Sequence, residues 1–423
     1  MIPHTNLWTR TFLGMSRAAA DPSDLYFGFI LRGRGPVPDV EELRRQVDKR
    51  LALIPALTRV PETREGDVTW RPDEAFDLAG HVRAHGPLTR GVAPQRSLLA
   101  CAPASPPQMW GLWVLPGPRE GRWQVCWLSH HAFGDAMAIV RILRVLFGDE
   151  DPPGPVASSR HRRSGRARAI GAAGRMLPGL LATYLPGEQW PPMTSPAGAV
   201  RGWAYAQVPF ATLRRVADTS GATVNQVHLA AMTAALRGLE TDNGRRPRGR
   251  LQACMPLDLR TPGQDDHTVA SRLGLMRVPL AWARPNPAGR LAAVVRATRP
   301  RRIGRWKRAW RALLADAPEP IAQWAHRRIG DPRNTKLTVS AVNVPGALAV
   351  GGSPVTEIVP LPWLPPGHAC FTLLATYAGT TTQSVLTHGG GFAPGRLTTL
   401  WARAVDDLAA TYEGRPHAPE SRR

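Results

Sequence analysis

The run Arg122-Trp123-Gln124-Val125-Cys126-Trp127-Leu128-Ser129-His130-His131-Ala132-Phe133-Gly134-Asp135-Ala136 decides how the chain is read. Up to Ser129 it alternates, with Trp123, Val125 and Trp127 on one side and Gln124 and Cys126 on the other, which predicts a strand. From Asp135 to Phe147 the apolar spacing becomes helical, and Ile139, Val140, Leu143, Leu146 and Phe147 form the buried stripe. A strand, a turn and a helix therefore place a histidine pair at a strand end, with a carboxylate four residues beyond the second histidine. One imidazole can face an open channel while the other lies in its wall, and Asp135 can hold the turn through an ion pair. A neutral histidine is suited to take a proton from a hydroxyl or amine that attacks a thioester.

Outward from this unit, Val40 to Leu53 has helical spacing after Pro38. Between Asp149 and about Ala199 periodicity disappears. Pro152, Pro153 and Pro155 are followed by Arg160, Arg162, Arg163, Arg166 and Arg168, which predicts a connection between two halves. Three parts follow: an N-terminal subdomain over 1–150, a Pro/Arg-rich crossover over 151–199 and a C-terminal subdomain over 200–423. In the last, Arg201 to Pro209 reads as a strand and Thr223 opens a helix with Gln226 at capping-box spacing. Leu251 to Leu257, Leu275 to Leu280, Lys336 to Val344 and Phe371 to Tyr377 read as strands. Arg301 to Ala315 is a basic amphipathic helix, and a final helix runs from about Pro394 to Tyr412. Both halves mix strands and helices, so the fold class is α/β.

Composition bounds the rest. The chain has 423 residues, of which 43% are hydrophobic and 20% charged, enough for sizeable cores and against a mainly disordered chain. The net charge is +22, and Lys49, Lys307 and Lys336 are its sole lysines. Arginine excess with scarce lysine fits compositional drift as well as an anionic partner, and no nucleic-acid-binding motif accompanies it. Cys101, Cys126, Cys254 and Cys370 lie far apart without ligand spacing, which argues against a disulfide scaffold or zinc ribbon and for a reducing cytoplasm. Met1 to Ala20 lacks the apolar core of a secretory signal. The most apolar long stretch, Ala169 to Pro186, is interrupted by Arg175 and Pro178, so no membrane span is expected. There is no GxSxG, HExxH or Walker A pattern. The face bearing Ile303, Trp306 and Trp310, flanked by arginines, has two readings: packing onto the second subdomain, or peripheral membrane contact.

His130 to Ala136 resembles the HHxxxDG motif of the wax ester synthase/diacylglycerol acyltransferase family, within the chloramphenicol acetyltransferase and condensation-domain superfamily. Further segments resemble that family in order: Phe76-Asp77-Leu78-Ala79-Gly80-His81-Val82-Arg83, Met109-Trp110-Gly111-Leu112-Trp113, Ala222-Thr223-Val224-Asn225-Gln226-Val227-His228-Leu229-Ala230, Met255-Pro256-Leu257-Asp258-Leu259-Arg260, Asn343-Val344-Pro345-Gly346 and Thr376-Tyr377-Ala378-Gly379. The resemblance implies two chloramphenicol-acetyltransferase-like subdomains in a V with a central tunnel, where an acyl thioester (acyl-CoA or a phosphopantetheine carrier) meets an alcohol or amine acceptor. It implies His131 as general base, His130 as its neighbour and Asp135 as a structural carboxylate, with Arg59 the candidate ion-pair partner. Asn225, Trp110, Phe133, Asn343 and Tyr377 are the candidate substrate contacts, core packing being the competing reading for Trp110 and Tyr377. No metal, no cofactor and no acyl-enzyme are implied. Partners are the thioester and acceptor, an acidic carrier protein or a membrane surface, and no nucleic acid. The sequence departs from the family pattern at Ala136, in place of the terminal glycine, and at Gln108, Gln226 and Val342. A standard lipid substrate is therefore open, and condensation on a carrier-bound or specialised-metabolite substrate is the alternative.

Overall fold

A computed structural model describes residues 1–19, 21–65, 67–100, 108–148, 171, 174, 201–244, 251–261, 268–316, 320–321, 323–324, 327, 331, 333, 337–365, 367–387 and 392–414. The expected crossover over 151–199 and Cys101 lie outside the described residues, save positions 171 and 174. In chain order the main elements begin with α1 (Leu7–Ala18), β1 (Tyr26–Arg34), α2 (Val40–Leu51), β2 (Val82–Ala84), β3 (Trp110–Pro116), β4 (Arg122–His130) and α3 (Ala136–Phe147). Then come β5 (Gly202–Pro209), α4 (Phe210–Ser220), α5 (Val224–Asp242), β6 (Leu251–Asp258), β7 (Leu273–Leu280), α6 (Pro287–Ala297) and α7 (Pro300–Asp316). The chain closes with β8 (Leu337–Asn343), β9 (Ala349–Val350), β10 (Ser353–Leu361), β11 (Cys370–Tyr377), β12 (Thr380–Thr387) and α8 (Pro394–Thr411).

These elements form two compact units, each assembled from several stretches of chain. The first comprises Met1–Arg163, Asp258–Leu273 and Val342–Trp363; the second comprises Ser164–Leu257, Gly274–Ala341 and Leu364–Arg423. The first unit is built on a six-stranded sheet of order β9-β10-β1-β4-β3-β2. β4 pairs antiparallel with β1 on one side, placing Tyr26 opposite His130, and with β3 on the other, placing Trp110 opposite Ser129. From Trp123 to His130 every β4 side chain is buried, as for a strand with both faces covered. Gly28 on β1 is required by close approach, because an added Cβ would overlap the Trp127 carbonyl oxygen. α3 presents Ile139, Val140, Leu143, Leu146 and Phe147 to the core, as its spacing predicts.

Several elements of this unit escape the sequence reading, β1, α1 and β10 among them. α1 is opened by a reciprocal capping box between Asn6 and Thr9, and buries Trp8, Phe12 and Leu13. β10 arrives from far along the chain and pairs antiparallel with β1, Val359 lying opposite Ile30.

The second unit has its own six-stranded sheet, of order β7-β6-β8-β11-β12-β5. β11 and β12 form a hairpin in which Tyr377 faces Thr380 across the turn. Thr223 and Gln226 make the expected capping box at the start of α5. α7 packs through Trp310, which is fully buried with its indole N–H donating to the Leu275 carbonyl at 2.8 Å, its ring against Gly274. Packing is thus the role of Trp310, and it is not free to enter a lipid surface.

The overlap at Gly28 involves main chain on both strands, which cannot swing away as a flexible side chain can. Gly28→Ala is therefore expected to destabilise the protein by roughly 3 kcal/mol, the upper part of the range for overpacking, as a fall in the urea unfolding midpoint. An unchanged midpoint would contradict this tight strand pairing.

Candidate active site

The β4–α3 turn is held by main-chain bonds before any side chain contributes. The His130 N–H donates to the Met109 carbonyl at 2.8 Å, the His131 N–H to the Leu25 carbonyl at 2.9 Å, and the Phe133 N–H to the His130 carbonyl at 2.9 Å. Asp135 is the N-cap of α3 and accepts the Ala138 N–H at 3.0 Å. Gly134 fits under that first helical turn, where a Cβ would meet the Ala138 methyl at 2.9 Å. Ala136, where the motif has glycine, occupies the first helical position and is half-buried.

Asp135 also carries a buried ion pair, and its partner is Arg260. The guanidinium grips the carboxylate as a fork, one nitrogen donating to Oδ1 at 2.7 Å and the other to Oδ2 at 3.0 Å. The Arg272 N–H adds a bond to Oδ2 at 2.8 Å, so the carboxylate is fully committed. The same two Arg260 nitrogens also donate to the Ala270 carbonyl at 2.8 Å and to Asp258 at 3.1 Å. Burial by itself would raise the Asp135 carboxyl; the Arg260 charge and the bonds from Arg260, Arg272 and Ala138 outweigh it and hold the carboxyl below its ordinary range. Arg59, the partner expected from sequence, instead donates to the Trp70 carbonyl at 3.1 Å across a short hairpin. Arg260 stood at the end of the recognised Met255–Arg260 segment, but proximity to Asp135 requires the chain to return over 125 residues.

The two histidines differ sharply. His130 is fully buried, and its Nδ1 accepts the Ala132 N–H at 3.1 Å, which leaves the proton on Nε2. Nε2 has no hydrogen-bond acceptor; the ring stands edge-on to Tyr26 with centroids 5.1 Å apart. Burial, then the neighbouring His131, push its pKa down to about 3. His131 is 8% exposed, and it is Nδ1 that is sealed without a partner, leaving Nε2 as its accessible ring nitrogen. Burial pushes its pKa down to about 4, against weaker raising influences from the Asp135 charge and its own carbonyl. Phe12, Phe27 and Trp363 surround the ring at centroid distances of 4.2, 4.6 and 4.7 Å. None of these three stands out in the sequence, since each belongs to a different stretch.

The remaining candidates separate into two groups. Trp110 lies between His81 at 4.5 Å and Trp127 at 5.2 Å, and donates its indole N–H to the Leu57 carbonyl at 2.8 Å. Both faces and the polar tip are used by the core, so its role here is packing. The Phe76–Arg83 segment supports the same stack, with His81 Nδ1 2.9 Å from the Trp110 carbonyl and 5.0 Å separating the Phe76 and His81 rings. Phe133 is fully buried in the turn, 6.1 Å from Trp70 edge-on. Asn343 is exposed at the end of β8. Asn225 and Tyr377 belong to the second unit: the Asn225 amide lies 3.9 Å from the Met255 sulfur, and Tyr377 is buried in the β11–β12 hairpin. Gln226 bonds to Thr298 at 3.0 Å besides capping α5. Among the described residues no group of histidine, cysteine and carboxylate side chains could hold a metal ion.

Residues 28–185 match the wax ester synthase/diacylglycerol acyltransferase catalytic domain, and residues 270–408 match the C-terminal domain of the same family. The chain belongs to the wax ester synthase/diacylglycerol acyltransferase family and is an acyltransferase. It is 26% identical to a probable diacylglycerol O-acyltransferase of Mycobacterium tuberculosis over 375 residues, covering 80% of this chain and 81% of that one. Among solved structures it is similar to the wax ester synthase/diacylglycerol acyltransferase from Marinobacter aquaeolei VT8, with TM-score 0.64 and 17% identity over 96% of this chain and 98% of the other. It is also similar to the first condensation domain of the calcium-dependent antibiotic synthetase in complex with a substrate analogue, with TM-score 0.67 and 16% identity over 98% and 97% of the two chains. These likenesses establish the fold, and the two six-stranded units are its chloramphenicol-acetyltransferase-like subdomains.

Removing one partner of a buried ion pair strands the other charge. Arg260→Ala is expected to lower stability by roughly 3–5 kcal/mol, and Asp135→Asn by less, because its amide oxygen can still accept the Ala138 N–H. Urea unfolding of both variants checks this order; equal, small losses would show that the pair is not structural.

Proposed function

We propose that the protein transfers an acyl group from acyl-CoA to the hydroxyl of a lipid alcohol, a diacylglycerol or a specialised metabolite, with His131 as general base and no acyl-enzyme. The observation that carries this reading is the division of labour at the β4–α3 turn: His131 keeps Nε2 accessible and its ring neutral, whereas Asp135 is fully bound by Arg260, Arg272 and Ala138. Nε2 accepts the hydroxyl proton as the oxygen attacks the thioester carbonyl. The tetrahedral intermediate then collapses, breaking the C–S bond, and the departing thiolate takes the proton back from the imidazolium. The products are an ester and free CoA thiol, with no metal or bound cofactor in the balance.

General bases contribute about 10²–10⁴-fold to rate. His131→Ala is accordingly expected to lower kcat by about that factor while thermal unfolding stays near the parent value. Free-thiol release and product mass spectrometry, with acyl-CoA and a panel of alcohols, measure it; a variant that keeps most of its activity defeats the assignment. The same panel, extended to amines and to acyl groups on an acidic carrier protein, tests the second reading. That reading is favoured by the condensation-domain likeness over nearly the whole chain and by the net charge of +22, which complements an acidic carrier.

A lipid acceptor also calls for access to a membrane surface. No helix among the described residues is long and apolar enough to cross a membrane. The second unit nevertheless exposes Arg301, Arg305 and Arg308 along α7, none of them paired with an acidic side chain. Shortly after α7, Ile321 and Trp324 are each 44% exposed. Exposed cations together with exposed apolar and aromatic side chains suit an anionic interface. Co-sedimentation with phosphatidylglycerol vesicles should fall severalfold for Ile321→Ser/Trp324→Ser, with little binding to phosphatidylcholine by either protein. Equal recovery of parent and variant on anionic vesicles would remove this surface from the account.

A further inference from the structure

A catalytic histidine is usually oriented by a hydrogen bond on the nitrogen that does not react. His131 lacks that device, because its Nδ1 is buried without a hydrogen-bond partner. Three aromatic rings meet the imidazole instead. Phe12 of α1 stacks on it at 4.2 Å and 26°, Phe27 of β1 tilts against it at 4.6 Å and 37°, and Trp363, two residues beyond β10, meets it at 4.7 Å and 63°. The rings brace one another. Trp363 stands edge-on to Phe12 at 5.4 Å, and Trp8 stacks behind Phe12 at 5.7 Å.

The brace is anchored to the segment that secures Asp135. Trp8 donates its indole N–H to the Leu273 carbonyl at 2.9 Å, and the Asn6 amide donates to the Ser271 carbonyl at 2.8 Å. Between those residues lies Arg272, whose N–H binds Asp135.

We infer that Phe12, Phe27 and Trp363 are positioning residues, an aromatic clamp that fixes the His131 imidazole with Nε2 outward and Nδ1 dry. This rests on His131 being the base and adds how the ring is held. Two consequences follow from the geometry. The ring's rotation about its bond to Cβ is limited by contact on three sides, so losing a clamp ring lowers kcat more than it raises KM. The clamp also keeps water from Nδ1. The titratable neighbours that influence the imidazole are Asp135, itself neutralised by Arg260, and His130; α1, β1 and the segment after β10 meet the ring with apolar aromatic groups. Opening the clamp therefore lets the protonated form be hydrated, and its pKa rises towards the ordinary histidine value.

The test is a pH titration of protein labelled with carbon-13 at histidine Cε1, the His131 signal being assigned by its loss in His131→Ala, with kcat and KM measured alongside. In the parent protein that signal should stay untitrated between pH 5 and 8. In Phe12→Ala it should titrate within that window, with kcat down at least tenfold and KM within about threefold. Trp363→Phe, which keeps a ring in place, should behave as the parent. If Phe12→Ala does not fold, Trp363→Ala carries the same expectation. A folded Phe12→Ala or Trp363→Ala protein with an unmoved titration and unchanged kcat overturns the clamp, while an inactive His131→Ala leaves the base assignment standing. An active His131→Ala protein removes the base assignment and the positioning role with it.

Discussion

The fork between Arg260 and Asp135 is the constraint on which the reactive end of the first unit depends. Taking both charges out of water is costly, and the cost is offset only where every lone pair and donor finds a partner. Here most of that requirement is met: the carboxylate accepts from Arg260, Arg272 and Ala138, and the guanidinium also reaches Ala270 and Asp258. Because the bonds come from separate parts of the chain, the pair works as a clasp. It ties the start of α3 to the return segment Asp258–Leu273, and that segment in turn receives Asn6 and Trp8 of the N-terminal helix. The strand end that carries the histidines is thus fixed from two directions.

Within that frame, adjacent identical residues take different jobs. Successive side chains of a strand point to opposite faces, and His130, the last residue of β4, turns inward. Its Nδ1 is consumed by the Ala132 N–H and its protonated Nε2 is buried, so it has no accessible lone pair with which to accept a proton. His131, one position on, leaves the strand with a free Nε2 and an aromatic surround. Low polarity keeps it neutral; it also makes it a weak base in the ground state. In the mechanism proposed above, transfer must then stabilise the imidazolium as charge develops on the thioester, and the Asp135 charge favours it.

Among the described residues the arginines do different things. Arg260, Arg32 and Arg44 are structural: Arg32 bridges Gln124 at 2.9 Å and Glu357 at 2.8 Å, joining β1 to both neighbouring strands, and Arg44 donates to the Val82 carbonyl at 2.8 Å. Arg301, Arg305 and Arg308 are exposed without acidic partners. A net charge of +22 cannot distinguish these groups, since burial and pairing belong to the fold and not to the composition.

Local pattern alone determined the elements whose reasons are local. The alternation of Trp123, Val125 and Trp127, the stripe of α3, the capping box at Thr223 and Gln226 and the histidine pair at a strand end all follow from periods and side-chain chemistry within a dozen residues, and two of the family motifs, His130–Ala136 and Ala222–Ala230, lie on these same pieces. Tertiary structure decided the rest. Arg260 rather than Arg59 holds Asp135; Trp110 is locked between His81 and Trp127; and Phe12, Phe27 and the far distant Trp363 converge on one imidazole. Periodicity reports which face of an element is apolar but carries no information about which distant segment will cover it. That choice is made when strands pair and the chain returns, as β10 does beside β1.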